Sequence, residues 1–384
     1  MTILQSIEEV LIMEFSETID YGIHLGITKN FIAKAEGNGT VVIPNILNNK
    51  NFISSAVYIN MNGKKFIGDK ALNKMAADPR NGFSEFKLKM GSDYVYEFEA
   101  TGIKMTPAEL SSEILKNLRL TVRQKYQKDL RAAVITVPSD FNISQTKATN
   151  EAAKLAGFEE VVLLQEPVAA AMAYGFDTSD ENETWLIYDF GESTFDVSVV
   201  KKYGDDIMNI NSVADGYLGG KLIDWDIVDK IFAPAVINDI AGMNDFNRRN
   251  VSYLKQFAKL KKAAENAKIE LSNEKLTEIE IENFTITPDG EFHDFEYGMT
   301  RKELDEIMKT YVDRTITHCK KALDEVGLTS GDVTRIILAG SSTLSPYIHE
   351  RLKEEFNITP DYSIDPQTVI VRGAAVFAGQ KRCG

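Results

Sequence analysis

The chain has 384 residues, 43% of them hydrophobic and 26% charged, with a formal net charge of −14. That length exceeds what one compact core organises and predicts two or more lobes, while the acidic balance argues against general nucleic-acid binding, which needs a basic face. The two cysteines, Cys319 and Cys383, are too far apart to suggest a disulfide framework and point to a reducing compartment, and no apolar run approaches a membrane span.

The opening MTILQSIEEVLIMEF is interrupted by Glu8, Glu9 and Glu14 and has neither a basic start nor an arginine. It reads as a loosely docked tail rather than a signal or transit peptide. GIHLGITKN, from Gly22 to Asn30, reads as a strand ending in a glycine turn whose N–H groups suit a phosphate. At the strand end, where a metal-dependent phosphate site wants a carboxylate, stands His24.

Farther on, RAAVITVP (131–138) is a strand, SQTKATNEAAKLAGF a helix closing on Gly157, EEVVLLQE a strand, and PVAAAMAYG a helix opened by Pro167. This alternation predicts parallel sheet with crossover helices. YDFGESTFDVSVV (188–200) then repeats the first hairpin weakly, aligning His24 with Asp189, Gly26 with Gly191 and Thr28 with Ser193. The pair suggests a duplicated domain with a cleft between its halves. VSYLKQFAKLKKAAENAKIELS (251–272) is a long polar helix. KLTEIEIENFTITPDGEFHDFEYGMT is an exposed hairpin turning at Pro288-Asp289-Gly290. Thr300 with Glu303 caps a further helix, and RIILAG (335–340) is a buried strand leading through SST into the helix PYIHERLKEEF.

Four motifs carry candidate chemistry. Asp189 and Asp196 flank the Gly191 turn with Ser193 and Thr194, and such carboxylates can hold hydrated Mg²⁺. Asp215-Gly-Tyr-Leu-Gly219-Gly220 opens a helix where a backbone can approach a ligand. Gly340-Ser341-Ser342 ends a strand with free N–H groups, and Glu166 follows Gln165 at a strand end, before Pro167. Taken singly, each is equally readable as an ordinary capped turn or a helix-start carboxylate.

Together and in this order the motifs resemble the nucleotide-binding domain of the seventy-kilodalton heat-shock chaperones, of the actin-like ATPase superfamily. The resemblance runs from about Tyr21 to Gly379 through VITVPSDFN, LLQEPVAAAMAYGFD, YDFGESTFDVSVV, AENAKIELS, AGSSTLSPYI and RGAAVFAGQ. It implies an α/β fold of two duplicated, ribonuclease-H-like lobes around an ATP/ADP and Mg²⁺ cleft. Residues 21–178 with 362–384 form lobe I and 179–361 form lobe II, behind an N-terminal extension at 1–20. No substrate-binding domain is expected in this chain. By resemblance Gly26, Ile27, Thr28 and Lys29 form the first phosphate hairpin, and Gly191, Glu192, Ser193 and Thr194 the second. Asp189, Asp196 and Glu166 surround the metal and attacking water, with Thr194 also in the catalytic set. Glu265, Lys268 and Ser272 contact adenosine, Gly219 and Gly220 the sugar and phosphate side, and Gly340, Ser341 and Ser342 the adenine side.

Several positions depart from the family pattern. His24 replaces a metal-organising Asp, and imidazole is a poor partner for Mg²⁺. Ile27 replaces a hydroxyl residue, and Glu192 stands in a run of glycines. Ile269 and Leu344 replace arginines that sandwich adenine. In IGDKALNKM the family's catalytic lysine aligns with Leu72, between Lys70 and Lys74. Losing such a charge costs about a hundredfold to a thousandfold in rate. The expectation is a divergent chaperone or co-chaperone module in protein folding or the stress response, a pseudo-ATPase of slow or absent hydrolysis with a weakened Mg²⁺ site. By resemblance it works with a J-domain co-chaperone and a nucleotide-exchange factor. In its erosion it resembles the ribosome-associated type that pairs with zuotin, reaching the ribosome through a partner. A cytoplasmic place is expected, with no direct nucleic-acid or membrane contact. The alternative is a fully active ATPase gating a peptide-binding domain outside this chain. No motif supports a third class, the sugar kinases.

Overall fold

The computed structural model describes residues 19–37, 39–175, 183–203, 206–286 and 290–381. The N-terminal tail through residue 18, the turn residues Pro288 and Asp289, and Cys383 lie outside them. Packing divides the chain into two units. The first runs to Ile187 and includes Val200–Ser212 and the chain from Tyr362; the second is Tyr188–Val199 with Val213–Asp361.

The first unit is built on a sheet in the order Glu160–Gln165, Ala132–Val137, Tyr21–Leu25, Lys29–Glu36, Gly39–Val42, with Ile53–Ser54 also paired to Lys29–Glu36. The first three strands are mutually parallel, as the strand–helix alternation requires, and Tyr21–Leu25 turns back antiparallel into Lys29–Glu36. Strand alternation covers both faces. Ile23, Leu25, Ile32 and Ile135 share a core with Ile114, Leu118 and Ala152 of the helices Pro107–Tyr126 and Ile143–Leu155. Phe31 and Ala33 face the other way, onto Val371 and Ala375 of the helix Val369–Gln380. That helix lies unusually close: a Cβ at Gly373 would stand 1.6 Å from the Ala169 carbonyl, and one at Gly22 would stand 2.3 Å from Ala375 N. The small residues of PVAAAMA and RGAAVFAG are there to let backbones touch. A smaller three-stranded sheet, Lys65–Ile67, Ala56–Ile59, Gly82–Ser84, carries the helix Asp69–Met75.

A second sheet has the order Asp206–Asp215, Phe195–Tyr203, Thr184–Phe190, Arg335–Ala339. It repeats the first: a hairpin whose leading strand has a later strand on its other side and whose return strand is extended by a third. The duplication read from two short segments is thus a duplication of sheet order. In the second unit the helix Gly220–Ile227 passes through a π turn, Val228–Phe232, into Ala233–Asp239. Pro234 has no N–H to return to the preceding turn, which accounts for the widened turn just before it. The polar helix is Leu254–Glu270, preceded by a short 3₁₀ turn at Val251–Tyr253. The exposed hairpin pairs Leu276–Ile286 with Phe292–Thr300, with a bulge between Ile281 and Thr285. The Thr300–Glu303 capping box opens Arg301–Asp324. After Ala339 the chain makes a 3₁₀ turn, Ser341–Leu344, and the helix starts only at Pro346. Among the described residues no helix is long and apolar enough to cross a membrane.

Candidate nucleotide site

In the first unit, sheet register assembles a charged cluster. His24 lies directly beside Thr136 across the parallel pair, and Val137 lies beside Gln165, so Glu166 begins its helix one residue on. His24 Nδ1 shares a 2.9 Å hydrogen bond with Thr136 Oγ1 and lies 3.7 Å from Glu166 Oε1. The Glu166 carboxylate also accepts from Lys87 Nζ at 2.9 Å, and the lysine side chain is only 6% exposed. Lys87 enters on the 3₁₀ turn Phe86–Lys89, launched from Glu85 in the left-handed region at φ 57°, and its Nζ lies 5.5 Å from the centre of the Phe141 ring. Burial, reinforced by the Lys87 charge and only partly countered by Glu166, pulls the His24 imidazole down to about 4. At neutral pH His24 is therefore an uncharged ring beside the Lys87–Glu166 ion pair.

The sequence pattern leaves this site without a lysine, and the structure places one on Glu166 from another element. Leu72 lies on the helix Asp69–Met75, 41% exposed, and the basic group on the Glu166 carboxylate is Lys87. Leu72 follows the Gly68-Asp69 pair in sequence, whereas FSEFKLK carries no such glycine-aspartate marker. A lysine spaced between apolar Phe86 and Leu88 ahead of a glycine, in a stretch too short for a helix, was the usable signal.

The first turn is braced from below. Ser55 Oγ donates to Gly26 O at 3.1 Å, Asn30 Nδ2 donates to Ser55 Oγ at 2.8 Å, and Ser55 N donates to Thr28 O. Gly26 has no room for a side chain, since a Cβ would stand 2.2 Å from Lys29 O. Ile27 and Thr28 are half-buried on the turn, and Lys29 starts the return strand with its Nζ 5.0 Å from the Phe52 ring centre.

In the second unit most of the remaining candidates converge. Gly191 N donates to Thr194 O, closing the second turn. Gly191 O then accepts from Gly220 N at 3.1 Å and from Ser342 Oγ at 2.9 Å, and Glu192 O accepts from Lys221 N at 2.8 Å. A Cβ at Gly219 would stand 2.5 Å from Glu192 O. Gly340, at φ 84°, packs against the end of the strand: a Cβ would stand 2.4 Å from Phe190 O and 2.6 Å from Asp189 Oδ1. Thus the hairpin, the Gly219-Gly220 helix start and the Gly340–Ser342 turn touch one another through backbone that tolerates only glycine. Thr194 and Asp196, with Asp189 across the hairpin, are half-buried.

Lys268 ties the polar helix to the same place. Its Nζ donates to Gly220 O at 2.8 Å and to the Asp224 carboxylate, whose side chain is 3% exposed. Burial pushes the Asp224 carboxyl up, against the pull of Lys268 and Lys261. One turn before Lys268 on this helix Glu265 pairs with Lys262 at 3.1 Å, and one turn after it, just past the helix end, Ser272 Oγ donates to Lys268 O. Burial would raise the Glu265 carboxyl, but the Lys262 hydrogen bond and the neighbouring lysines outweigh it and leave it lowered. Ile269 is 57% exposed, and Leu344 is half-buried at the end of its 3₁₀ turn. Asp215, first residue of its motif, is taken up elsewhere: it accepts from Arg314, from His318 at 2.8 Å and from Tyr217 N.

These residues fit a nucleotide. Ser193 Oγ is buried on the second turn with no hydrogen-bond partner among the described residues, and the Gly219 backbone packs directly on the Ser193 main chain. A buried hydroxyl without a partner is unfavourable unless a ligand meets it. For Mg²⁺ the hard oxygen donors are Asp189, Asp196 and Thr194. Among the described residues no three acidic, imidazole or thiol groups come together as a metal cage, so most of an ion's ligands would be water and phosphate oxygens.

A family model for the Hsp70 protein matches residues 92–382. The match begins beyond the first turn and Lys87 and takes in Glu166 and every second-unit candidate. Its nucleotide-binding domains have the actin-like ATPase fold, take ATP or ADP with Mg²⁺, and typically work with J-domain proteins and nucleotide-exchange factors. With the duplicated sheet order and the glycine-lined turn in place, this chain belongs to the Hsp70 family.

Proposed function

We propose that this chain is a chaperone-type nucleotide-binding module that holds ATP or ADP and hydrolyses ATP slowly or not at all, acting in protein folding through partners. The observation that carries this reading is His24, a neutral ring bonded to Thr136 where the family has an acid that organises the metal. On this reading Ser193 and the N–H groups of the second turn meet phosphate. Lys268, Glu265, Ser272 and Gly340–Ser342 address the adenosine, with Ile269 and Leu344 packing on the base without cation stacking. Lys87 and Glu166 address the transferred phosphate and its attacking water. Asp189 and Asp196 hold Mg²⁺ through water, more weakly than with a third carboxylate. A J-domain co-chaperone and an exchange factor are the expected partners, with the zuotin-paired, ribosome-associated type as the specific relative.

One observation favours the alternative, a working ATPase: the charged lysine is present as Lys87, already on Glu166. Such a group is the main protein contribution to phosphoryl transfer. The two readings separate in calorimetry of ATP with and without Mg²⁺, followed by single-turnover hydrolysis with the chain in excess. Binding with turnover at least about a hundredfold below a working family member supports the slow reading; turnover within a few-fold of it makes the alternative correct.

A further inference from the structure

The second unit carries a pocket that the nucleotide reading leaves unused. It is an open groove of about 880 Å³ lined by Trp225, Arg248, Arg249, Leu254, Phe257 and Lys261, among others. Its chemistry runs against that of the chain. Three cations line it against one carboxylate, Asp229, in a protein of formal charge −14. Arg248 is held by Asp229 at 3.0 Å and stacks over Trp225 at 4.4 Å from the ring centre. Lys261 lies 5.9 Å from the same ring and 3.9 Å from Asp224 Oδ2. The two cations are thus pre-positioned around the indole, so that little side-chain entropy is left to lose on binding. The guanidinium of Arg249 has no hydrogen bond or ion pair among the described residues. The apolar part is exposed as well: Leu254 is 60% accessible, and Val251 on the adjoining turn is 75% accessible. The wall bearing Asp229 is the π turn before Pro234, a widened helix turn of the kind found at binding sites.

We infer that this groove binds an acidic peptide segment of a partner, its carboxylates on Arg248, Arg249 and Lys261 and one large apolar side chain against Leu254 and Phe257. A single inorganic anion would leave the apolar wall wet. A nucleic-acid strand would carry phosphates past the three cations and has no aliphatic side chain for the apolar wall. A short acidic segment with an aliphatic or aromatic anchor satisfies both halves of the pocket, and guanidinium–carboxylate bonds supply orientation.

The test is fluorescence anisotropy on the full chain with a labelled peptide in which a Leu-Phe pair is flanked by glutamates on both sides. Saturable binding is expected that weakens as salt rises. Arg249→Glu and, separately, Leu254→Ser should each weaken it by about tenfold or more. Both positions are on the surface, and unchanged circular dichroism would establish that the variants fold. A lysine-flanked peptide should not bind. The inference is overturned if the acidic peptide does not saturate, or if both variants bind it as the parent does. It is equally overturned if the lysine peptide or a single-stranded oligonucleotide binds better, or if free glutarate competes as well as the peptide.

Discussion

The two glycine turns of the duplicated sheets have the same backbone plan and opposite chemistry around it. At the second turn, Asp189 ends the strand, the close contacts of Gly219 and Gly340 keep side chains out, and Ser193 Oγ is buried without a hydrogen-bond partner among the described residues. At the first turn, His24 ends the strand, Lys87 is paired with Glu166, and the neutral His24 ring is hydrogen-bonded to Thr136. The second turn holds a buried hydroxyl that no described residue meets. The other carries His24 where its twin carries Asp189, and beside it Asn30 Oδ1 is buried without a hydrogen bond among the described residues. Duplication fixes where backbone N–H groups point, and single substitutions at the strand end then decide which chemistry they serve.

The strongest way to break this contrast is at Lys87. Lys87→Met leaves the 13%-exposed Glu166 carboxylate without its cation. A loss of about 3–5 kcal/mol is expected in urea unfolding, because removing one partner of a buried pair strands the other. A loss under about 1 kcal/mol would mean that water reaches the pair freely. Next is Gly340→Ala. A left-handed φ costs a non-glycine residue about 1–3 kcal/mol, and the clash with Phe190 O adds to it. Lower stability and at least about tenfold weaker ADP binding are expected together; retained ADP affinity would separate the turn from the nucleotide.

The His24 environment can be sharpened by pH. Its native value of about 4 lies below the ordinary histidine value of 6.5. The unfolded chain thus binds the proton first, and stability is lost as pH falls from about 6.5 toward 4. The loss should reach roughly 3 kcal/mol in full. His349 is lowered in the same direction by burial, so the comparison is with His24→Gln, whose stability curve should be flatter over that window. Parallel curves would show that His24 is not buried neutral. The smallest effect is expected from Leu72→Lys: an exposed leucine away from the Glu166 pair should change stability by no more than about 0.5 kcal/mol and leave turnover unchanged.

How far the sequence was readable follows the same contrast. The alternation of β runs and small-residue helices over 131–175 gave the parallel strands, and Thr300 with Glu303 gave a helix start to the residue. In the second unit the glycines at 191, 219, 220 and 340 marked the turns that do meet, and at 219 and 340 close backbone approach leaves no room for a side chain. Lys87 escaped because its role depends on a long-range contact with Glu166 from a 3₁₀ turn with no periodicity of its own. Trp225 and Arg248 were equally unreadable, since the π turn and the loop that bring their neighbourhood together leave no spacing in the sequence.

The central claim is that His24 is what holds hydrolysis down while the rest of the site stays able to bind. Its most direct test is single-turnover ATP hydrolysis by the His24→Asp variant beside the parent chain, with ATP affinity measured in parallel. The account predicts a rate at least about tenfold higher in the variant, together with a stronger dependence of affinity on Mg²⁺. An unchanged rate in a folded variant that still binds ATP would contradict it and move the cause to Glu192 or Ile27.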